Sequence, residues 1–134
     1  GAGCRDHELV SFVGGGGKTT LMHAFTRELG GRCIATTTTK MDAGHNGDLT
    51  TLIEATDQEI VAATRSGPAL VWRTVSGGKA LGVEPTRCDL LFDMVDYVLV
   101  VADEARSLPF KAPGTFEPVV PSATTMMVSV MMQK

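Results

Sequence analysis

A run of four glycines followed by a lysine and two threonines is the part of the sequence best suited to bind a phosphate. The run occupies residues 14–20 and follows an apolar segment at residues 9–13. Phosphate-binding loops need backbone N–H groups converging at a helix N-terminus, glycines that allow a tight curve, and a lysine for the terminal phosphates. Residues of all three kinds are present, so we predict nucleotide contacts from Gly14, Gly15, Gly16, Gly17, Lys18, Thr19 and Thr20.

The glycine loop is two residues shorter than the common P-loop. The usual pattern, G-x-x-x-x-G-K-[ST], would place a glycine at position 12, where this chain has Phe12. The pattern present, G-x-x-G-K-T, looks similar to the G-T-x-G-K-[ST] loop of the Mur-ligase group. A glycine turn without a ligand is the alternative, and chance would produce this pattern with a probability on the order of 1%. We therefore expect ATP or GTP to bind here, with no residue that selects between them.

Carboxylates and threonines follow two other predicted strands. Asp103 and Glu104 come directly after the apolar residues 97–102. In a P-loop fold that strand end lies beside the loop, so Asp103 and Thr19 are the predicted Mg²⁺ ligands. Lys18, Asp103 and Glu104 are then the predicted catalytic residues, with Glu104 orienting the attacking water.

The threonine run at residues 36–39, followed by Lys40, comes after the second predicted strand. The carboxyl ends of strands are where open α/β sheets bind ligands, so Thr37 and Thr38 are predicted to contact the nucleotide. The alternative is a strand extension with solvated threonines.

Strands and helices alternate along the chain. Strands are predicted at residues 9–13, 33–35, 69–75 and 97–102, with Trp72 in the core, and a polar loop is predicted up to Asp48. Helices are predicted at residues 19–29, after a capping box formed by Thr56 and Glu59, and from Pro85. This order predicts one α/β domain over residues 1–134, with three layers and a mainly parallel sheet. The apolar run at residues 126–132 is a possible final strand, and we expect a C-terminal portion to be missing after it.

Composition excludes several classes of function. The net charge is −3, and no basic stripe suggests a nucleic-acid partner. No apolar run approaches the roughly 20 residues that span a membrane, and no signal peptide is recognisable, so we expect a cytoplasmic location. Three isolated cysteines, Cys4, Cys33 and Cys88, indicate buried or idle thiols rather than zinc ligands or disulfides. The three histidines, His7, His23 and His45, show no metal-ligand spacing.

Four collinear motifs resemble those of the YqeC family of selenium-dependent hydroxylase accessory proteins. The family typically shows V-G-x-G-G-K-T-[TS], T-T-T-[KR], E-A-D-G-[AS]-[RK]-x-x-P-[LI]-K-x-P and H-E-P-V-[IV]-P-x-x-[TS]. This chain carries counterparts at residues 14–20, 36–40, 103–111 and 117–121. The resemblance covers nearly the whole chain in the family's order.

The resemblance implies a P-loop NTPase-like protein that takes part in the maturation of a selenium-dependent molybdenum hydroxylase. That enzyme or its cofactor is then the expected partner, and Arg106 and Lys111 are the expected phosphate or substrate contacts. Two departures from the family pattern bear on the site. Glu104 replaces a glycine and fills space that close backbone approach needs. Phe116 replaces a histidine and removes a polar contact.

Three alternatives stay open from the sequence. One is a nucleotide-binding switch or adaptor without significant turnover, which presents the proline-rich residues 109–121 to a partner enzyme. Another is a Mur-ligase-like enzyme that activates a small substrate by phosphoryl transfer. The third is a truncated, inactive fragment.

Overall fold

A computed structural model describes residues 6–29, 32–44, 49–102 and 120–130. The described residues form nine strands: β1 Glu8–Gly14, β2 Cys33–Thr37, β3 Lys40–Asp42, β4 Thr50–Ile53, β5 Ala69–Trp72, β6 Thr74–Ser76, β7 Lys79–Leu81, β8 Tyr97–Val101 and β9 Met126–Val130. Six of them build one sheet in the order β4-β5-β2-β8-β1-β9. All neighbours in this sheet are parallel. The expected α/β class with a mainly parallel sheet is confirmed.

Helices cover both faces of this sheet: α1 Lys18–Glu28, α2 Asp57–Thr64 and α3 Pro85–Phe92. α1 contributes Met22 to a core cluster on one face. α2 and α3 contribute Ile60 and Leu91 to a cluster on the other face. Every residue of the central strands β2 and β8 is buried, as strands covered on both sides require. The apolar run at β8 was therefore a sound indication of a central strand.

A second, three-stranded antiparallel sheet in the order β3-β7-β6 corrects two expectations. The single strand expected over residues 69–75 is wrong, because β5 of the main sheet ends at Trp72 and β6 of the second sheet begins at Thr74. The polar loop expected up to Asp48 is also wrong, because β3 lies within it. β6 and β7 meet in a two-residue turn at Gly77 and Gly78, which have φ values of 58° and 77°. Such turns match the twist of the paired strands.

β4 was not predicted from the sequence, because it is an edge strand with little apolar pattern. Only Leu52 of its four residues packs against the core. The capping box of α2 is confirmed, since Thr56 and Glu59 exchange side-chain and backbone hydrogen bonds. The bond from the Thr56 N–H lowers the pKa of the Glu59 carboxyl. Trp72 is in the core, with 3% of its surface exposed.

Two of the cysteines are buried thiols, as expected. Burial raises the pKa of both Cys33 and Cys88 to about 12, so neither is a nucleophile near neutral pH. Cys4 lies outside the described residues. Within the described ranges, no helix is long and apolar enough to cross a membrane.

The second sheet is held against the threonine run by a close backbone contact. The N–H of Gly82 donates to the Thr39 carbonyl (2.7 Å), and the N–H of Val83 donates to the Thr37 carbonyl (2.9 Å). A Cβ at position 82 would lie 2.2 Å from the Thr37 oxygen. Only glycine permits this approach, which fixes where the end of β2 lies.

We predict that Gly82→Ala lowers the free energy of unfolding by roughly 2 kcal/mol or more, because backbone atoms of Thr37 and Thr39 cannot yield to a methyl group. Gly44→Ala is the control, since a Cβ there would meet its nearest atom at 3.4 Å. Urea denaturation of both variants measures the difference. Equal stability of Gly82→Ala and the unsubstituted protein would contradict this packing.

Candidate phosphate site at the carboxyl edge of the sheet

The glycine loop joins the end of β1 to the start of α1, as the sequence predicted. β1 ends at Gly14 and α1 begins at Lys18. Gly14 and Gly17 have φ values of 106° and 93°, in the left-handed region that favours glycine. Gly17 is the N-cap and offers no side-chain cap to the first turn of the helix. The helix therefore presents its N-terminal N–H groups and its positive dipole end at this edge.

β9 supports the loop from one side. Gly14 pairs with Val130 across the sheet, and the N–H of Gly15 donates to the Val130 carbonyl (2.7 Å). A Cβ at position 14 would lie 2.3 Å from that same oxygen. The Gly15 N–H is therefore hydrogen-bonded within the protein, and Gly14 fits beside the Val130 oxygen because it has no side chain.

The N–H groups of Gly16, Gly17 and Thr19 are among those that the loop can offer an anion. None of the three has a hydrogen-bond acceptor among the described residues. Thr19 is half-buried in the first turn of α1, where its hydroxyl can ligate a cation held by the phosphates. Thr20 is exposed on the same turn. The loop residues predicted from the sequence thus divide into supports, Gly14 and Gly15, and candidate contacts.

Lys18 reaches across the sheet edge towards the end of β8. Its Nζ donates to the carbonyl oxygen of Ala102 (3.2 Å), the residue that immediately precedes Asp103. β8 is the direct neighbour of β1, and the Ala102 N–H donates to the Phe12 carbonyl (2.9 Å). The ammonium group and the chain leading to Asp103 are therefore adjacent. Four predicted site residues lie outside the described residues: Asp103, Glu104, Arg106 and Lys111.

The threonine run is partly structural. The Thr36 hydroxyl donates to the Val71 carbonyl (2.6 Å), and the Thr37 hydroxyl donates to the Val101 carbonyl (2.8 Å). The Thr37 hydroxyl also accepts the N–H of Thr39 (3.1 Å). Both Thr36 and Thr37 are fully buried within β2. Thr38 is half-buried beyond the strand end, so of the two threonines predicted as ligand contacts it has the more accessible side chain.

A cavity of about 320 Å³ opens at the same edge, beyond the tip of β5. Ala55, Val71 and Val83 form its apolar walls, and Glu54, Glu84 and Arg87 also line it. Arg87 is ion-paired with Asp57. The sequence offered no signal for this cavity, because its walls come from four separate segments. β2 and β8 separate it from the glycine loop.

These features define the class: an α/β protein with a parallel sheet whose carboxyl edge carries a glycine-rich loop at a helix N-terminus, beside a lysine that reaches the neighbouring strand. The chain belongs to the YqeC family, whose model, described as YqeC protein, matches residues 10–134. The resemblance read from the motifs is confirmed.

A curated relative is the uncharacterized protein YqeC of Escherichia coli (strain K12), which is 30% identical over 135 residues. The match covers 92% of this chain and 51% of the relative, so the chain spans about half the length of that protein. No solved structure matches.

The two threonines at the end of β2 should respond differently to loss of the hydroxyl. Thr37→Val leaves the Thr39 N–H without its buried acceptor, so we predict a loss of about 1–3 kcal/mol in the free energy of unfolding. Thr38→Val is the matched control and should stay within about 0.5 kcal/mol of the unsubstituted protein. Chemical denaturation measures both. A Thr37→Val protein as stable as Thr38→Val would show that the Thr37 hydroxyl is not a structural tie.

Proposed function

We propose that this chain binds Mg²⁺ together with ATP or GTP at the glycine loop, and that it hydrolyses the nucleotide or transfers its phosphoryl group. The observation that carries the proposal is that the glycine loop leads directly into Lys18, whose Nζ lies at the end of the adjacent central strand β8, 3.2 Å from the Ala102 oxygen. Fold class alone would not support it, because many α/β sheets bind no nucleotide. A positively charged group, a helix N-terminus and accessible N–H groups at one strand end form an anion site.

Backbone N–H groups supply the hydrogen bonds to the phosphates. Gly16 and Gly17 lack side chains, so a phosphate oxygen can approach their N–H groups closely. The dipole of α1 adds partial positive charge at the same point. Lys18 lies one residue further on and can exchange its Ala102 contact for a terminal phosphate oxygen. Because the loop N–H groups and the helix N-terminus are already placed, they stabilise charge without reorganising during a reaction.

The donor set suits Mg²⁺, which prefers oxygen ligands in proteins. Thr19 would hold the ion through its hydroxyl, and Asp103 would hold it through its carboxylate. When bound, the ion neutralises phosphate charge and polarises the phosphoryl group. Glu104 is proposed to orient an attacking water. The Lys18–Ala102 contact favours this assignment for Asp103, because residue 103 follows directly in the chain.

The biological role proposed is maturation of a selenium-dependent molybdenum hydroxylase in the cytoplasm. Family membership and the motif containing Arg106 and Lys111 support this role. Arg106 and Lys111 would contact a phosphate or the substrate. The hydroxylase or its molybdenum cofactor would be the partner, and a chain that binds nucleotide without turnover would serve the same partner as a switch.

We predict that Lys18→Ala weakens ATP or GTP binding by about 10- to 100-fold, because a charge-assisted hydrogen bond to phosphate is lost. Isothermal titration with non-hydrolysable analogues, with and without Mg²⁺, measures the affinity. Lys79→Ala, an exposed lysine on β7, is the control and should bind as the unsubstituted protein does. Unchanged affinity in a folded Lys18→Ala protein would overturn the proposed site.

The cavity beyond β5 favours a second candidate function, activation of a small substrate by phosphoryl transfer. Its volume of about 320 Å³ falls in the range of small-molecule sites, and it shares the edge with the glycine loop. Neighbouring strands of a sheet lie about 4.8 Å apart, and two strands separate the cavity from the glycine loop. An extended substrate bound in the cavity can therefore reach the phosphates of a nucleotide at the loop.

We predict that a protein-free small-molecule extract of cells raises phosphate release from ATP, and that Ala55→Phe abolishes the stimulation by filling the cavity while nucleotide affinity stays unchanged. Ala62→Phe, at an exposed position of α2, is the control. Phosphate release is measured with and without extract for all three proteins. Equal stimulation of the unsubstituted and Ala55→Phe proteins would exclude the cavity as the substrate site.

A further inference from the structure

We propose that β9 is a positioning strand for the glycine loop, so that phosphate binding at the loop and docking of β9 on β1 stabilise each other. The inference rests on the proposed function in one respect, that the loop binds the phosphates of a nucleotide. It goes further by assigning a role to residues 120–130, which do not contact the ligand in that proposal.

Val130 constrains the loop at Gly14 and Gly15 and lies close to Gly17. Its carbonyl accepts the Gly15 N–H (2.7 Å). The same oxygen occupies the space beside Gly14, where a Cβ would lie 2.3 Å away. Its Cγ1 would be 3.6 Å from a Cβ at Gly17. The curve that leads Gly16 and Gly17 to the helix N-terminus is therefore built against the end of β9.

β9 is less buried than β1 and β8, the two central strands that precede it in the sheet order. In the described part of the chain it has one neighbouring strand, β1, and its residues alternate between half-buried and exposed. Met127 is 49% exposed, whereas every residue of β8 is buried. A strand with one partner and little buried area separates from a sheet more readily than a central strand does.

Polar anchors fix the start of β9 instead. The Thr125 hydroxyl donates to the buried Glu8 carboxylate (2.6 Å) and accepts the Leu9 N–H (2.8 Å). Thr124 and Ser11 share a hydroxyl hydrogen bond (2.9 Å). The Thr125 anchor is about 16 Å from the part of β9 that contacts the loop, since Val130 lies five residues further along the extended chain. A substitution at Thr125 can therefore change the docking of β9 without touching a nucleotide.

Reciprocity follows from thermodynamic linkage. If the loop binds phosphate well only when Val130 supports it, the apparent affinity scales with the fraction of molecules in which β9 is docked. Bound nucleotide must then raise that fraction by the same coupling. A strand that were merely structural would fold and unfold with the whole protein and show no specific response to ligand.

The test measures both directions of the coupling with ATP and Mg²⁺ as the probe. At an ATP concentration that just saturates the unsubstituted protein, amide hydrogen exchange should slow at least about fivefold in residues 126–130, and it should slow much less in Lys18→Ala, which is then only partly occupied. Thr125→Val should weaken ATP binding about three- to tenfold, since two hydrogen bonds that dock β9 are lost. Thr125→Ser retains the hydroxyl and should restore the affinity. Thr50→Val, on the opposite edge strand β4, should leave the affinity unchanged.

The outcomes separate this inference from the proposed function. If ATP slows exchange in the glycine loop but not in residues 126–130, the coupling is wrong and the nucleotide site stands. Equal affinity of the Thr125→Val and unsubstituted proteins would have the same meaning. If the unsubstituted protein binds no ATP, both the inference and the proposed function fail.

Discussion

The contact between the backbones of Gly14 and Val130 is the constraint on which the candidate site depends. The two strands approach so closely that a single methyl group at position 14 would lie 2.3 Å from the Val130 oxygen. Gly14 ends β1 with a φ of 106°, in the left-handed region that favours glycine. The Gly15 N–H then bonds to the Val130 carbonyl, and the N–H groups of Gly16 and Gly17 have no acceptor among the described residues. The shortened loop keeps its curve because a neighbouring strand, rather than additional loop residues, supports it.

The rest of the carboxyl edge is assembled by side chains and glycines that tie one strand to the next. The hydroxyl groups of Thr36 and Thr37 donate hydrogen bonds to carbonyl oxygens of the strands on either side of β2. Gly82 brings the second sheet against the same threonines. Lys18 forms a further tie, because its Nζ donates from α1 to the Ala102 carbonyl at the end of β8. These ties hold the edge in a fixed shape and leave accessible polar groups at its surface, which is the condition for electrostatic preorganisation.

Local patterns in the sequence predicted much of this arrangement, and long-range contacts explain what they missed. β1, α1 and β8 follow from apolar runs, glycine punctuation and helical spacing, all of which are local. The family follows from four motifs in order. The support from Val130 involves residues 115 positions apart, which no pattern within a window can reveal. The bond from the Thr37 hydroxyl to the Val101 carbonyl could not be predicted either, because a threonine at a strand end is the same residue in the sequence whether its hydroxyl faces solvent or a neighbouring carbonyl. β3 and β4 were missed because short strands with few buried residues carry little apolar signal.

The central claim is that the N–H groups of Gly16, Gly17 and Thr19 form the phosphate cradle while the Gly15 N–H remains bonded to Val130. Two-dimensional ¹H–¹⁵N NMR during titration with ATP and Mg²⁺ tests this claim one amide at a time. The account predicts large downfield shifts for the amide protons of Gly16, Gly17 and Thr19, and a Gly15 amide that exchanges slowly with solvent both before and after ATP is added. Binding that left the Gly16, Gly17 and Thr19 amides unshifted, or no binding at all, would contradict it.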